Sequence, residues 1–329
     1  MKSNLIKKFA VAAAVALTCL GVVFALPAEA KNHSITVTAG AVGGAWYQYG
    51  AAFNDLWEKN IPGLKTTLVA GTGNSNPYAV SKNGAQIGFS YVHTTGDAYK
   101  GQGVSKEPAD EMMLLMNFRS IFYFSCLLDK SLGVRSFSDI LAKKPALVCA
   151  VGANGSGSEE VFREVFKAHG ITYDDIKSWG GRIEFIGAGS GADSFRDGHV
   201  NLLSNAAPHP FSTWVEVSTS REVALLPIEE STSAALAELG YDVAKIDSKA
   251  YNDPTGDVLT AGPTSVLIVN KNVDEDLVYQ MTKLLYENME SLIKTQASLS
   301  GWDPKNAANA RIPIHPGAER YYKEIGLVQ

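Results

Sequence analysis

Residues 39–50 read AGAVGGAWYQYG and begin on the last residue of SITVTA, residues 34–39. The alternation of SITVTA predicts a strand. Trp46 to Lys59, with Phe53, Leu56 and Trp57 on one face, predicts a helix stopped by Asn60 and the Pro62-Gly63 turn. Gly43 and Gly44 therefore lie between the carboxyl end of a strand and the start of a helix. That is the place where ligands sit in open α/β sheets, and the free first-turn amides and the helix dipole favour an anion there.

A second stretch repeats the arrangement. PALVCAVG (145–152) predicts a strand, VGANGSGSEEVF (151–162) a glycine loop, and Ser158 to His169 a helix closed by Gly170. Ser156 and Glu159 match the S-x-x-E capping box. The motifs weigh against a nucleotide loop. Neither stretch ends in Gly-Lys-Ser/Thr, and Gly152, Gly155 and Gly157 give G-x-x-G-x-G instead of the dinucleotide spacing. Two readings remain for each loop alone, a tight turn or half of a ligand clamp.

Working outward, strands are expected at LKTTLVA (64–70), AQIGFSYV (85–92), RIEFIGAG (182–189), VNLLSNAA (200–207) and TSVLIVNK (264–271). MMLLMNF (112–118) and SIFYFSCLL (120–128) are apolar runs. Helices are expected at 76–81, 136–143 and 192–196, and over 274–295, where Leu277, Met281, Leu284, Leu285, Met289 and Leu292 form one stripe. Alternating strands and helices predict an α/β protein with parallel-rich sheets flanked by helices. Residues 81–95 and 195–209 echo each other: a helix end, an Asn/Asp-Gly turn, then a buried-type strand. The expected organisation is two related lobes, residues 31–121 plus 258–329 forming the first and 122–257 the second.

Other polar groups sit at strand ends: Thr72, Asn74 and Ser75; His93 and Thr94; Asn205 and His209. Each is a loop-capping residue or a ligand contact. Arg119 interrupts two apolar runs, so it either pairs with an acidic residue or grips a ligand carboxylate. The candidate ligand-binding set is thus Gly43, Gly44, Trp46, Tyr47, Asn74, Ser75, His93, Arg119, Gly155, Ser156, Gly157 and Asn205. No catalytic residue, cofactor or metal site is assigned.

The chain opens with Lys2, Lys7 and Lys8, an apolar run from Phe9 to Leu26 and the triplet Ala28-Glu29-Ala30. This predicts a secretory signal peptide over 1–30, cleaved after Ala30, and a periplasmic protein with no stable membrane insertion afterwards. The formal charge of −5 becomes −7 without residues 1–30. A mildly acidic chain lacks the basic patches that nucleic acid requires. Cys126 and Cys149, the two cysteines beyond the signal, either pair or remain buried thiols. The expected oligomeric state is a monomer.

The order and spacing of several motifs resemble the TAXI family of TRAP-transporter solute-binding proteins. Gly43-Gly44-Ala45-Trp46-Tyr47 with Gly50, Gly71-Thr72-Gly73-Asn74-Ser75, Gly84, SLGVRSFSDI (131–140), Val151-Gly152 through Gly155-Ser156-Gly157-Ser158-Glu159, Asp197-Gly198, Pro208 and VLIVNKNVDEDLVYQMTKLLYE (266–287) carry the resemblance across most of the chain. It implies a two-lobed periplasmic-binding-protein fold of type II, a small-molecule carboxylate or amino acid held between the lobes, and delivery to an ion-driven TRAP membrane permease. The chain departs from the family at Trp46, where a tyrosine is common, at His93, where an acid is common, and at Arg119, which stands near a position usually acidic. Fewer acids and an added arginine lead to the expectation of a dicarboxylate or another small organic anion, with Arg119 as its counter-ion. Two other classes are a sensor subunit feeding a membrane receptor and a periplasmic hydrolase. The hydrolase lacks both the G-x-S-x-G elbow and H-E-x-x-H.

Overall fold

The computed structural model describes residues 32–119 and 122–329. The expected signal peptide lies outside the described residues. The chain order is β1 (His33–Thr38), α1 (Ala45–Asn60), β2 (Leu64–Val69), α2 (Asn76–Ser81), β3 (Ile87–Tyr91), α3 (Val92–Tyr99) and β4 (Met112–Asn117). It continues with β5 (Tyr123–Asp129), α4 (Phe137–Lys143), β6 (Val148–Ala150), α5 (Gly157–Ala168), α6 (Tyr173–Ser178), β7 (Arg182–Glu184), α7 (Ala188–Arg196) and β8 (Leu202–Ala207). Then come α8 (Ser212–Ser220), β9 (Val223–Leu225), α9 (Glu230–Glu238), β10 (Tyr241–Asp247), β11 (Asp257–Pro263), β12 (Ser265–Asn270), α10 (Glu275–Thr295) and α11 (Pro316–Glu324).

Two five-stranded sheets result, ordered β2-β1-β3-β12-β4 and β7-β6-β8-β5-β9, beside a two-stranded β10-β11 ribbon. The sheets correspond strand for strand. In each, the first three strands of the order are parallel and the fourth is antiparallel to its neighbours. The sequence echo is this equivalence: β3 and β8 both occupy the centre, and each follows a turn with a positive-φ residue, Asn83 in one lobe and Gly198 in the other. The loops 39–44 and 151–156 consequently lie at equivalent places, after β1 and after β6.

Each sheet is sandwiched by apolar side chains. Tyr49, Phe53, Trp57, Phe89 and Phe118 form an aromatic centre in the first lobe, with Phe53 and Phe89 stacked at 5.8 Å. The stripe on α10 covers this lobe: Leu277, Met281, Leu285 and Met289 are fully buried in the same cluster, and Trp57 Nε1 donates to the Met281 carbonyl at 3.1 Å. The second lobe gathers Phe124, Phe137, Phe162 and Phe166 on one face of its sheet and Phe195 and Trp214 on the other.

The chain crosses between lobes after β4 and again at Thr264, between β11 and β12. The crossings run side by side: Phe118 N donates to the Ser265 carbonyl at 3.2 Å, and a Cβ on Gly262 would lie 2.1 Å from the Phe122 carbonyl oxygen. β11 places Val258, Leu259 and Ala261 in the second lobe's clusters, so the return crossing falls about six residues later in the chain than the sequence division placed it.

Residues 208–263 hold elements that periodicity did not signal. STWVEVSTS and ESTSAALAE are rich in serine and threonine and bury few positions. Helix α3 is likewise not signalled by periodicity, because it starts at Val92, directly after the last residue of β3, with no turn residue between. Cys126 and Cys149 are free, buried thiols. They stand on β5 and β6, which flank β8, so two inter-strand spacings of about 4.8 Å separate them, too far for a disulfide. Burial pushes both thiols up.

Candidate functional site

Helix α1 begins with Gly44 as its cap, in extended conformation and with no side-chain cap bond. Gly43 takes φ +83°, and Gly44 N closes a turn onto the Ala41 carbonyl at 2.9 Å. A capless helix start leaves its first amides to solvent or to a guest. Helix α5 begins at Ser156, whose hydroxyl accepts from Glu159 N. The other arm of the expected box is shifted: Glu159 Oε2 accepts from Gly155 N at 3.2 Å, one residue before the cap. Gly155, at φ +74° with no atom near its missing Cβ, makes that turn. Glu159 is further engaged by Arg163 and by the Tyr173 hydroxyl at 2.6 Å, so its charge is compensated inside the second lobe.

The two helix starts face one cavity of about 200 Å³ between the lobes. Gly40, Gly44, Ala45 and Trp46 line it from one side; Ser156, Gly157, Ser158 and Ala206 line it from the other. Tyr91 and Phe122 complete the wall, and among the described residues no charged side chain lines it. Its polarity therefore comes from two helix N-termini, each equivalent to about half a positive charge, from hydroxyls and from the Tyr91 phenol. Burial, and secondarily the charge of Glu160, pushes that phenol's pKa up, so it stays protonated.

The walls are held from behind. Trp46 Nε1 donates to Ser265 Oγ at 3.3 Å, and its ring lies 4.6 Å from that of Tyr91. Ser158 Oγ bonds Asn205 Oδ1 at 2.5 Å and accepts from Ala206 N. Below the first loop, buried Asn76 ties the end of β1 to the middle of β3: its amide nitrogen donates to the Ala39 and Phe89 carbonyls, both at 2.7 Å, while its oxygen accepts from Thr38 Oγ1 and Thr72 N.

Of the residues expected from sequence, Gly44, Trp46, Ser156 and Gly157 line this cavity. Gly43 and Gly155 form its loop turns, and Asn205 orients Ser158. Tyr47 packs against the first lobe's core instead. Ser75 bonds Thr72 within its own exposed loop. Asn74 and His93 line a second cavity of about 220 Å³, flanking the first, where both bond Glu160. Arg119 requires correction. It lines a third cavity, and its Nε donates to Asp242 at 2.5 Å, so the ion-pair alternative is the one realised and its charge is already satisfied. Sequence reading missed Tyr91, Phe122 and Ser158. Tyr91 is the last residue of β3, the position that the strand-end rule designates, one residue before the polar His93-Thr94 pair's helix begins.

Among the described residues no cluster of three His, Cys, Asp or Glu could hold a metal ion, and no helix is long and apolar enough to cross a membrane.

A model of the NMT1-like family matches residues 37–326. Two solved structures share the fold. One is the periplasmic sulfonate-binding protein SsuA of a sulfonate ABC transporter from Methylobacillus flagellatus, 13% identical, covering 91% of this chain and 96% of that one, at a TM-score of 0.51. The other is MatC from Rhodopseudomonas palustris with bound malate, 13% identical, covering 89% of this chain and 96% of that one, at a TM-score of 0.50. The two-lobed periplasmic-binding-protein fold expected from the sequence is therefore the fold of this chain.

Proposed function

The chain belongs to the NMT1-like family, and on that premise we propose that it is an extracytoplasmic solute-binding protein that closes its two lobes on a small organic anion and hands it to a membrane transporter. The observation that carries the reading is the pair of helix N-termini, α1 and α5, contributed by separate lobes to one uncharged cavity. A carboxylate or sulfonate placed there accepts from first-turn amides on both sides, with the Ser156 hydroxyl and the Tyr91 phenol as further donors; the Ser158 proton is already given to Asn205. Trp46, Phe122 and Ala206 pack its carbon skeleton.

Hydrogen bonds to a charged group contribute about 1.5–3 kcal/mol each. Four of them, less the cost of ordering both partners, reach the roughly 8 kcal/mol of a micromolar complex. Contacts made by both lobes exist only in the closed state, so guest binding adds to whatever already favours closure. With Arg119 bound to Asp242, the helix ends replace it as the anion donors.

The test is calorimetry with a panel of mono- and dicarboxylates, acidic amino acids, alkanesulfonates and neutral sugars. Binding of at least one anion at micromolar strength and of no sugar is expected. Tight binding of a neutral sugar with no response to any acid would overturn the reading.

The resemblance at the two glycine loops favours a TRAP-type permease as the partner. Uptake into vesicles carrying that permease then collapses with the ion gradient. Uptake that persists without a gradient but requires ATP points to an ABC transporter instead.

A further inference from the structure

Beside the guest cavity lies a contact that the clamp does not require for binding. Glu160, in the first turns of α5 in the second lobe, is only 5% exposed. Its carboxylate receives three bonds from the other lobe: His93 Nε2 at 3.1 Å and Thr94 Oγ1 at 3.1 Å on one oxygen, and Asn74 Nδ2 at 3.2 Å on the other. An ionised carboxyl buried at a lobe interface has a large desolvation cost unless it is paired and hydrogen-bonded. Here every donor comes from across the gap, so opening the lobes breaks all three bonds together. Above the pair runs a stack of rings, Tyr91 on His93 at 5.6 Å and His93 on Tyr241 at 4.6 Å, the last supplied by the second lobe.

We propose that Glu160, clasped by His93, Thr94 and Asn74, is an inter-lobe latch that holds the empty protein closed, so that its unclasping gates entry and release of the guest. The latch has a second consequence. Glu160 sits near the same helix end that the guest uses, and a free carboxylate there would compete with an anion for the helix dipole. Closure brings His93 against it and removes that competition when the guest must be held. The other groups facing it fit this role: Arg163 and Glu164 from α5, Asp97 from α3, Lys106 from the following loop and Tyr241 from β10 line the flanking cavity. Burial raises the Glu160 pKa, but the hydrogen bonds from His93 and Thr94, with the nearby Arg163 guanidinium, outweigh it and hold the carboxyl below its usual range. It is thus ionised at neutral pH.

This inference rests on the two-lobed clamp but not on what the clamp holds, so the test uses the protein without ligand. Small-angle scattering on the ligand-free wild type, Glu160→Ala, His93→Ala and the double variant is the experiment. A compact wild type is expected, with a shift of the closed-to-open ratio of at least about tenfold towards open in each single variant and no further shift in the double. Far-UV circular dichroism controls for folding. Asn74→Ala, which removes one half-exposed donor, gives a smaller opening and serves if the buried changes fail to fold. A ligand-free wild type that is already open, or variants as closed as the wild type, would overturn the latch. Either result would leave the anion panel unaffected.

Discussion

Gly157→Val is expected to weaken guest binding by at least about 100-fold, the largest functional effect that any single substitution in the cavity should have. Gly157 is the first helical residue of α5 and lines the cavity floor. Its backbone is not in the left-handed region, so valine is tolerated by the main chain. The obstacle is space. A Cβ there would come within 2.5 Å of the Tyr91 hydroxyl, and that ring is confined by Trp46 on one side and His93 on the other. Either Tyr91 is displaced or the lobes stay apart, and in both cases the methyl groups occupy the guest's position. Losing two charge-assisted bonds at about 1.5–3 kcal/mol each exceeds the 2.7 kcal/mol that corresponds to a hundredfold change. Calorimetry with whichever acid binds the wild type measures the effect. Unchanged affinity in a folded variant would place the guest elsewhere.

Asn76→Ala is expected to be the most destabilising of the changes near the site, at about 2–6 kcal/mol. Asn76 is 1% exposed and its side chain uses both ends. Removing it strands the carbonyls of Ala39 and Phe89, with the Thr38 hydroxyl beside them, while the Thr72 amide keeps the Ser75 hydroxyl at 3.2 Å. Each buried group left unsatisfied costs about 1–3 kcal/mol. Ala39 directly follows β1, where the first glycine loop begins, and Phe89 lies in the middle of β3, two residues before Tyr91. Urea denaturation should therefore show a lower midpoint, with binding weakened in the same variant. A midpoint within experimental error of the wild type would mean that water replaces the amide at no cost, and the strand-end role would be lost.

How much was legible in the sequence follows from the range of the forces involved. The strand–glycine–helix units around Gly44 and Ser156 were readable because their signals are local: alternation, a turn residue, a cap. The lobe equivalence was readable for the same reason, through Asn83-Gly84 and Asp197-Gly198. Arg119 shows the opposite case. Its oddness between apolar runs was visible, but its partner Asp242 lies 123 residues away, on a strand that periodicity did not reveal. Asn74 and His93 were chosen for being polar at strand ends, and they do reach across the cleft. What they meet is Glu160, which in sequence looked like an ordinary acidic residue in a helix's first turns. Trp46 and Tyr47 illustrate a finer limit. Adjacent aromatics in a helix point about 100° apart, so Trp46 reaches both the core and the cavity while Tyr47, partly exposed, packs on the core's edge away from the cavity.

The central claim is that backbone amides of two opposed helix starts hold the guest's negative group. A crystal structure of the protein with the molecule that copurifies with it, identified by mass spectrometry, tests this most directly. The account predicts an anionic group within hydrogen-bonding distance of a first-turn amide of α1, at Ala45 or Trp46, and of one of α5, at Gly157 or Ser158. A guest lying in the flanking cavity beside Arg163, or one whose charged end avoids both helix starts, would contradict it.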